Sequence, residues 1–405
     1  MRVAVLAHGF ATWGGGIHFL RIVVDALCAV ASQRDLQIFV LNPGYGPLSA
    51  LRTCSRFVKG MASHAPASAW RQIYAARENV RLEFSELAGQ VAVAPIDYGD
   101  RALKRALQAL AIDVVVPSME PLGHDFPVPW VGYLYDFQHK YLTRLFSDAE
   151  RASRDADFIK MLSQAPAVVV NAQTVKRDAE QFFPNFKREI FVLPFAAAPR
   201  RDWFNNAADQ IQKYSIKPPY FIISNQFWLH KGHATAFEAF KLVAHEFPEL
   251  SLVCTGNTHD PRDTQYFPGL IDKLSRDGLK SRVHILGMIK KRDQIELMKH
   301  ALAVLQPTSF EGGPGGGAAY DAISLGVQVI ASDIDVNQEL GDEPGVRFFE
   351  TGNAAALAAE MRAAFYAHAS PPPAEQLIEA GERRRLRCGL ALLRAIDFVR
   401  ASRPT

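Results

Sequence analysis

The residues with the strongest chemical signature lie between positions 301 and 340. Apolar Leu302, Val304 and Leu305 lead into Pro307, and Glu311 then stands where a strand would end. It opens the run Gly312, Gly313, Pro314, Gly315, Gly316 and Gly317. Residues without a β-carbon let backbone amides approach an anion closely and let the chain take positive φ. Residues 318–325 can follow as a helix, with its unpaired N-terminal amides and the positive end of its dipole facing whatever lies over the glycines. Such a place suits an anion, most naturally a phosphate. A surface turn that needs glycine for tightness alone is the other reading of the same residues.

The stretch PTSFEGGPGGGAAYDAISLGVQVIASDI (307–334) resembles the donor-binding signature of the retaining nucleotide-sugar glycosyltransferases of family 4 (glycosyl transferases group 1), which have the GT-B architecture. In that family a Glu opens the glycine turn and a second Glu follows after seven residues. Counting back from Gly326 and Val329-Ile330-Ala331-Ser332 puts the second acidic position at Asp321. Here the residue is Asp, and nine residues separate it from Glu311, which reads as an enlarged glycine loop. QFWLHKG (226–232) is a second match. The family has Arg, four residues, then Lys-Gly, where the two cations hold the donor diphosphate. This chain keeps Lys231-Gly232 but has Gln226 at the Arg position, next to Asn225. Gln226 can donate a hydrogen bond but supplies no charge.

The resemblance implies roles residue by residue. Lys231 and the glycine turn would bind the diphosphate, Glu311 the sugar hydroxyls and Asp321 the ribose hydroxyls, with Asn225 and Gln226 completing the donor side. The first glycine turn, with Gly15 and Gly16, would line the cleft from the other domain. It is not a dinucleotide fingerprint, because GxGxxG spacing and a ribose-reading acid are both absent. Residues 130–136 read as a strand ending in Asp136, where family members often carry His-Asp. Asp136 and His139 are the acceptor-side candidates, and His139 either takes over that polar role or caps a helix. Asp333-Ile334-Asp335 resembles a metal motif of the other large glycosyltransferase architecture, but its place after the glycine turn argues against a metal there. The expected reaction is therefore transfer of a sugar from a nucleoside-diphosphate sugar to a hydroxyl of a saccharide or lipid-linked glycan, with retention and without a metal or cofactor. A nucleotide-sugar epimerase on the same fold is one alternative. A phosphorylase would require pyridoxal phosphate, and no lysine announces it. A catalytically silent nucleotide-sugar-binding partner subunit is the third, suggested by Gln226 and Asp321.

The elements that must position these residues alternate along the chain. Apolar strand-like runs at 2–8, 36–41, 114–117, 130–136, 167–171 and 189–195 are separated by helical patterns at 101–111, 147–163 and 174–183. A second series starts at 220–225 and continues with helices at 233–247, 267–278 and 292–300 and strands at 250–256 and 283–287. This order predicts an α/β fold with parallel sheets covered on both faces. Two Rossmann-like, doubly wound domains facing across a cleft follow: 1–196 on the acceptor side, a linker at 197–219, the donor domain at 220–374, and a helix at 375–405 crossing back. The basic and aromatic stretch 52–79 is either a solvated helical face or a peripheral membrane contact. Arg383, Arg384, Arg385 and Arg387 read as a solvated face, with contact to an acidic membrane surface as the lesser alternative.

Composition sets the outer bounds. A chain of 405 residues with 48% apolar content suits two cores rather than one. A net charge of +3 is too small for a nucleic-acid polyelectrolyte. Cys28, Cys54, Cys254 and Cys388 form no CxxC pair, which argues against zinc and a disulfide framework and fits a reducing cytoplasm. The N-terminus reads straight into a strand without a leader pattern. No run of about 18 apolar residues suggests a spanning helix.

Overall fold

In the computed structural model the described residues are 1–11, 14–44, 78–97, 99–205, 212–367 and 370–402. Most of the basic stretch at 52–79 lies outside them. The first sheet comprises β1 (Arg2–Leu6), β2 (Gln37–Gly44), β3 (Val91–Asp97), β4 (Val114–Ser118), β5 (Trp130–Tyr133), β6 (Ala167–Val170) and β7 (Glu189–Val192), in the order β3-β2-β1-β4-β5-β6-β7. The second comprises β8 (Tyr220–Ser224), β9 (Ser251–Thr255), β10 (Val283–Gly287), β11 (Val304–Gln306), β12 (Val329–Ser332) and β13 (Val346–Phe349), ordered β10-β9-β8-β11-β12-β13. All pairings in both sheets are parallel. Strand order reverses between β1 and β4 in one sheet and between β8 and β11 in the other. At such a reversal the following loops splay to opposite faces and leave a crevice at the carboxyl ends of the strands.

The strands are apolar because both faces are covered. In β1, Val3 and Val5 enter one core with helix α1 (Gly14–Arg34), while Ala4 and Leu6 enter the core on the opposite face. Two strands, β3 and β13, escaped the sequence reading. Each has a neighbour on one side only, so neither needs a continuous apolar run, and β3 tolerates Pro95.

The last helix, α12 (Ala374–Ala401), crosses back onto the first domain. Its Cys388, Leu392 and Ile396 share a core with Leu20, Val23 and Leu27 of α1. A β-carbon at Gly389 would lie 2.3 Å from the Ala26 carbonyl oxygen, so these helices meet at backbone distance. Although α1 is long and apolar enough to cross a membrane by composition, it buries that apolar side inside this core.

The arginine run on α12 is not simply a solvated face. Arg384 is buried and reaches Glu343 with a fork of three contacts, plus the Ala197 carbonyl, and Arg385 meets Asp25 at 2.8 Å. Arg383, paired to Glu379 along the helix, and Arg387 are exposed as expected. Glu343→Ala would strand a buried guanidinium and is expected to cost about 3 kcal/mol. Denaturant unfolding measures this, and an unchanged midpoint would mean the pair contributes nothing to the docking of α12.

Candidate active site

Two loops leave the second sheet at its order reversal, one after β8 and one after β11. They are stitched together: the His230 carbonyl accepts from Ser309 N at 2.8 Å and from Thr308 Oγ1 at 3.1 Å. Gly232 has φ 71°, and a β-carbon there would lie 1.8 Å from the Pro307 carbonyl oxygen. This junction brings together residues 80 positions apart: Lys231 Nζ donates to Glu311 Oε1 at 2.5 Å. Gln306 Nε2 donates to the same oxygen at 3.0 Å, and Asn225 Nδ2 donates to Gln306 Oε1 at 2.6 Å. The pair is enclosed, with side chains 13% and 9% exposed. Gln226 spends its carbonyl on Asn257 N at 2.8 Å, tying the β8 loop to the end of β9.

The glycine turn runs into helix α9 (Gly316–Ser324), which begins two residues earlier than the sequence pattern suggested. Pro314 and Gly315 are buried in the turn, Gly317 is exposed, and the amide of Gly315 donates to Asn337 Oδ1 at 2.9 Å. On α9, Asp321 is almost fully buried. One of its oxygens meets Lys291, the first residue of helix α8 (Lys291–Lys299), and Oδ1 has no partner. The carboxylate is thus not an open acceptor pair. His18 of α1 lies beside it, edge-on to Tyr320 with ring centroids 5.7 Å apart, and its buried Nε2 also lacks a partner.

The first domain closes on the turn. A β-carbon at Gly312 would fall 3.0 Å from Asp136 Cβ and 3.1 Å from the Tyr135 carbonyl oxygen, and one at Gly313 would fall 2.7 Å from Asn171 Nδ2. Asp136 is therefore at the cleft, held by Arg154 at 2.7 Å and by the Gln138 amide at 3.0 Å. Gly15 and Gly16 do not form a loop as the sequence suggested. They lie in the first turn of α1, at the end of the helix where amides are unpaired.

His139 does not face the cleft. It is fully buried in helix α3 (Gln138–Tyr141), ringed by Phe137, Phe146 and Phe158, with Nε2 2.8 Å from Asp155. Burial holds its pKa below the ordinary value although Asp155 opposes the shift. A helix of one turn starting at Gln138 points position 139 inward, which its polar sequence neighbours Gln138 and Lys140 did not reveal. Asp333 does not stand open either: Oδ1 accepts from Thr351 N at 2.8 Å and Thr351 Oγ1 at 2.6 Å.

Sequence reasoning missed Gln306, Asn171, Arg154, His18 and Lys291. Gln306 carried a signal, being a polar residue ending a buried strand. Lys291 carried none, since its partner is 30 residues away.

Residues 206–384 match the family model Glycosyl transferases group 1. No curated protein matches the sequence. Among solved structures, HepE of Anabaena in complex with UDP-glucose is 13% identical with a TM-score of 0.65, covering 98% of this chain and 99% of that one. Sucrose-phosphate synthase of Thermosynechococcus elongatus is 15% identical with a TM-score of 0.61 over the full length of both chains. WaaG, a glycosyltransferase involved in lipopolysaccharide biosynthesis, is 15% identical with a TM-score of 0.53, covering 96% and 95%. The architecture is α/β of the GT-B type.

Gly312→Ala should keep both domains folded but wedge Asp136 away from the turn, lowering turnover by up to about a hundredfold. Steady-state rates on a variant of unchanged unfolding midpoint test this, and full activity would show that the close approach is dispensable. A pH dependence also follows. Burial lowers the pKa of His18 to about 4, and those of His230 and His233 to about 3. The stability from keeping these rings neutral is complete above the unfolded value near 6.5 and is lost as pH falls towards the folded values, by up to about 1.4 kcal/mol per pH unit for each ring. The unfolding midpoint should drop between pH 7 and 5, and His233→Phe should blunt the drop; an identical slope in that variant would refute it.

Proposed function

We propose, from the match of residues 206–384 to the Glycosyl transferases group 1 model, that the chain is a retaining glycosyltransferase of family 4 that moves a sugar from a nucleoside-diphosphate sugar to an acceptor hydroxyl. The observation that carries this reading is the enclosed Lys231–Glu311 pair beside the glycine turn, at the strand-order reversal where α/β sheets bind ligands. As the bond from the anomeric carbon to the diphosphate oxygen breaks, negative charge grows on the phosphate and positive charge on the sugar. An ammonium and a carboxylate already 2.5 Å apart offer one partner to each. The diphosphate draws Lys231 from Glu311, leaving that carboxylate to the sugar hydroxyls. The amides of the glycine turn and of the first turn of α1 add fixed dipoles to the phosphate side. In this reading Lys231 does the work a divalent ion does elsewhere, so no metal is needed.

A uridine diphosphate sugar is the first donor to try, because the similar HepE structure holds UDP-glucose. Asp321 takes the ribose hydroxyls through Oδ1, with Lys291 fixing the other oxygen. Asp136 stands on the acceptor side, where a saccharide or lipid-linked glycan is bound. Synthesis of a surface polysaccharide fits the likeness to WaaG. The free thiols Cys28, Cys254 and Cys388 suit a reducing cytoplasm, with peripheral contact at the inner membrane face.

Lys231→Ala should lower turnover of a nucleotide sugar by about thirty- to a thousandfold, equivalent to about 2–4 kcal/mol of transition-state stabilisation. Activity should persist in excess EDTA, and the product anomer should match the donor's. Full activity in a folded Lys231→Ala variant would remove the proposed role, and an inverted product would remove the retaining assignment.

A further inference from the structure

Helix α5 (Gln173–Phe182) of the first domain starts from Ala172, whose methyl group cannot accept a hydrogen bond, and no side chain of its own segment caps it. Its first amides are satisfied from the other domain. Glu339 takes Gln173 N at 2.9 Å on one oxygen, and Thr174 N at 2.8 Å and Thr174 Oγ1 at 2.8 Å on the other. A carboxylate there also faces the positive end of the helix dipole. Glu339 follows directly on the short helix α10 (Asp335–Gln338), which has two further connections. Val336 is buried in a core of the first domain, and half-buried Ile334 before it packs against that core. Asn337 accepts the amide of Gly315 in the glycine turn. One segment therefore touches the turn, the first-domain core and the start of α5.

We propose that Glu339 is a positioning residue that latches the cleft shut: α5 is capped only when the first domain sits on the glycine turn. Leaving out a cap of its own makes the amides of Gln173 and Thr174 a receptor for the opposite domain. Opening the cleft exposes those amides and the Glu339 carboxylate to water and costs the helix its cap. The same rotation withdraws Asn171, just before α5, from Gly313. The latch depends on closure geometry alone and stands whatever ligand the turn holds.

Small-angle X-ray scattering and thermal unfolding of the full chain test it, using wild type, Glu339→Ala, Ala172→Ser and the double variant. Losing a cap of ordinary strength should lower the closed-to-open ratio about fivefold. Wild type should have the radius of gyration of the closed structure, and Glu339→Ala a larger one. Ala172→Ser supplies a hydroxyl cap within the first domain and should also enlarge the particle, with no fall in the unfolding midpoint. The double variant should be as stable as wild type yet stay expanded. Equal size for wild type and Glu339→Ala would overturn the proposal. So would a double variant restored to wild-type size, which would show that Glu339 serves only the stability of α5.

Discussion

An ammonium and a carboxylate 2.5 Å apart, nearly closed off from water, are the interaction around which the second domain is built. Enclosing two charges is costly unless their remaining hydrogen-bonding capacity is met. Gln306 meets part of it and is itself held by Asn225, and both lie at the ends of the strands that flank the order reversal. The loops after β8 and β11 are joined through the His230 carbonyl, and Gly232 is required because the Pro307 backbone occupies the space a side chain would need. The sheet, its loops and the pair are one construction. Under the proposed function, an arriving diphosphate would find the cation already in place, with a competing carboxylate that becomes free for a second task.

The glycine turn has two separate reasons for its composition. At Gly316, φ is +62° and a side chain would press on Glu311 and Gln306, so the turn geometry itself demands glycine. At Gly312 and Gly313 the constraint comes from the other domain, whose Asp136 and Asn171 stand where side chains would go. A run that looks uniform in sequence thus serves a conformational need at one end and a domain contact at the other.

Closure is distributed over several unlike contacts. Arg262 lies over the Phe146 ring at 4.5 Å, Tyr141 packs against Phe310 with ring centroids 5.9 Å apart, and α10 inserts Val336 into the first-domain core. Behind the cleft, α12 holds the second domain through Arg384 and the first through its contact with α1. The chain therefore has a strap at the back and separable contacts at the front, an arrangement suited to opening about the strap.

The alternation of apolar runs and helical periodicities was enough to specify two parallel sheets, because a strand covered on both faces must be apolar throughout. The glycine turn was also legible as a turn after a strand, and Glu311 and Lys231 were singled out through the family motifs they resemble; folding brings the two loops that carry them together. Edge strands β3 and β13 were not, because Pro95 in the one and Arg347 in the other interrupt the apolar run. The partners of the charged and polar groups were decided by folding alone: Lys291 for Asp321, Asp155 for His139, Glu343 for Arg384 and Glu339 for α5. Each joins residues that local periodicity does not relate, and whether a charged side chain meets water, an opposite charge or a ligand depends on which surfaces the closed domains bring face to face. Local sequence sets where a side chain leaves its strand or helix, and only the packing of one element against another sets what it meets.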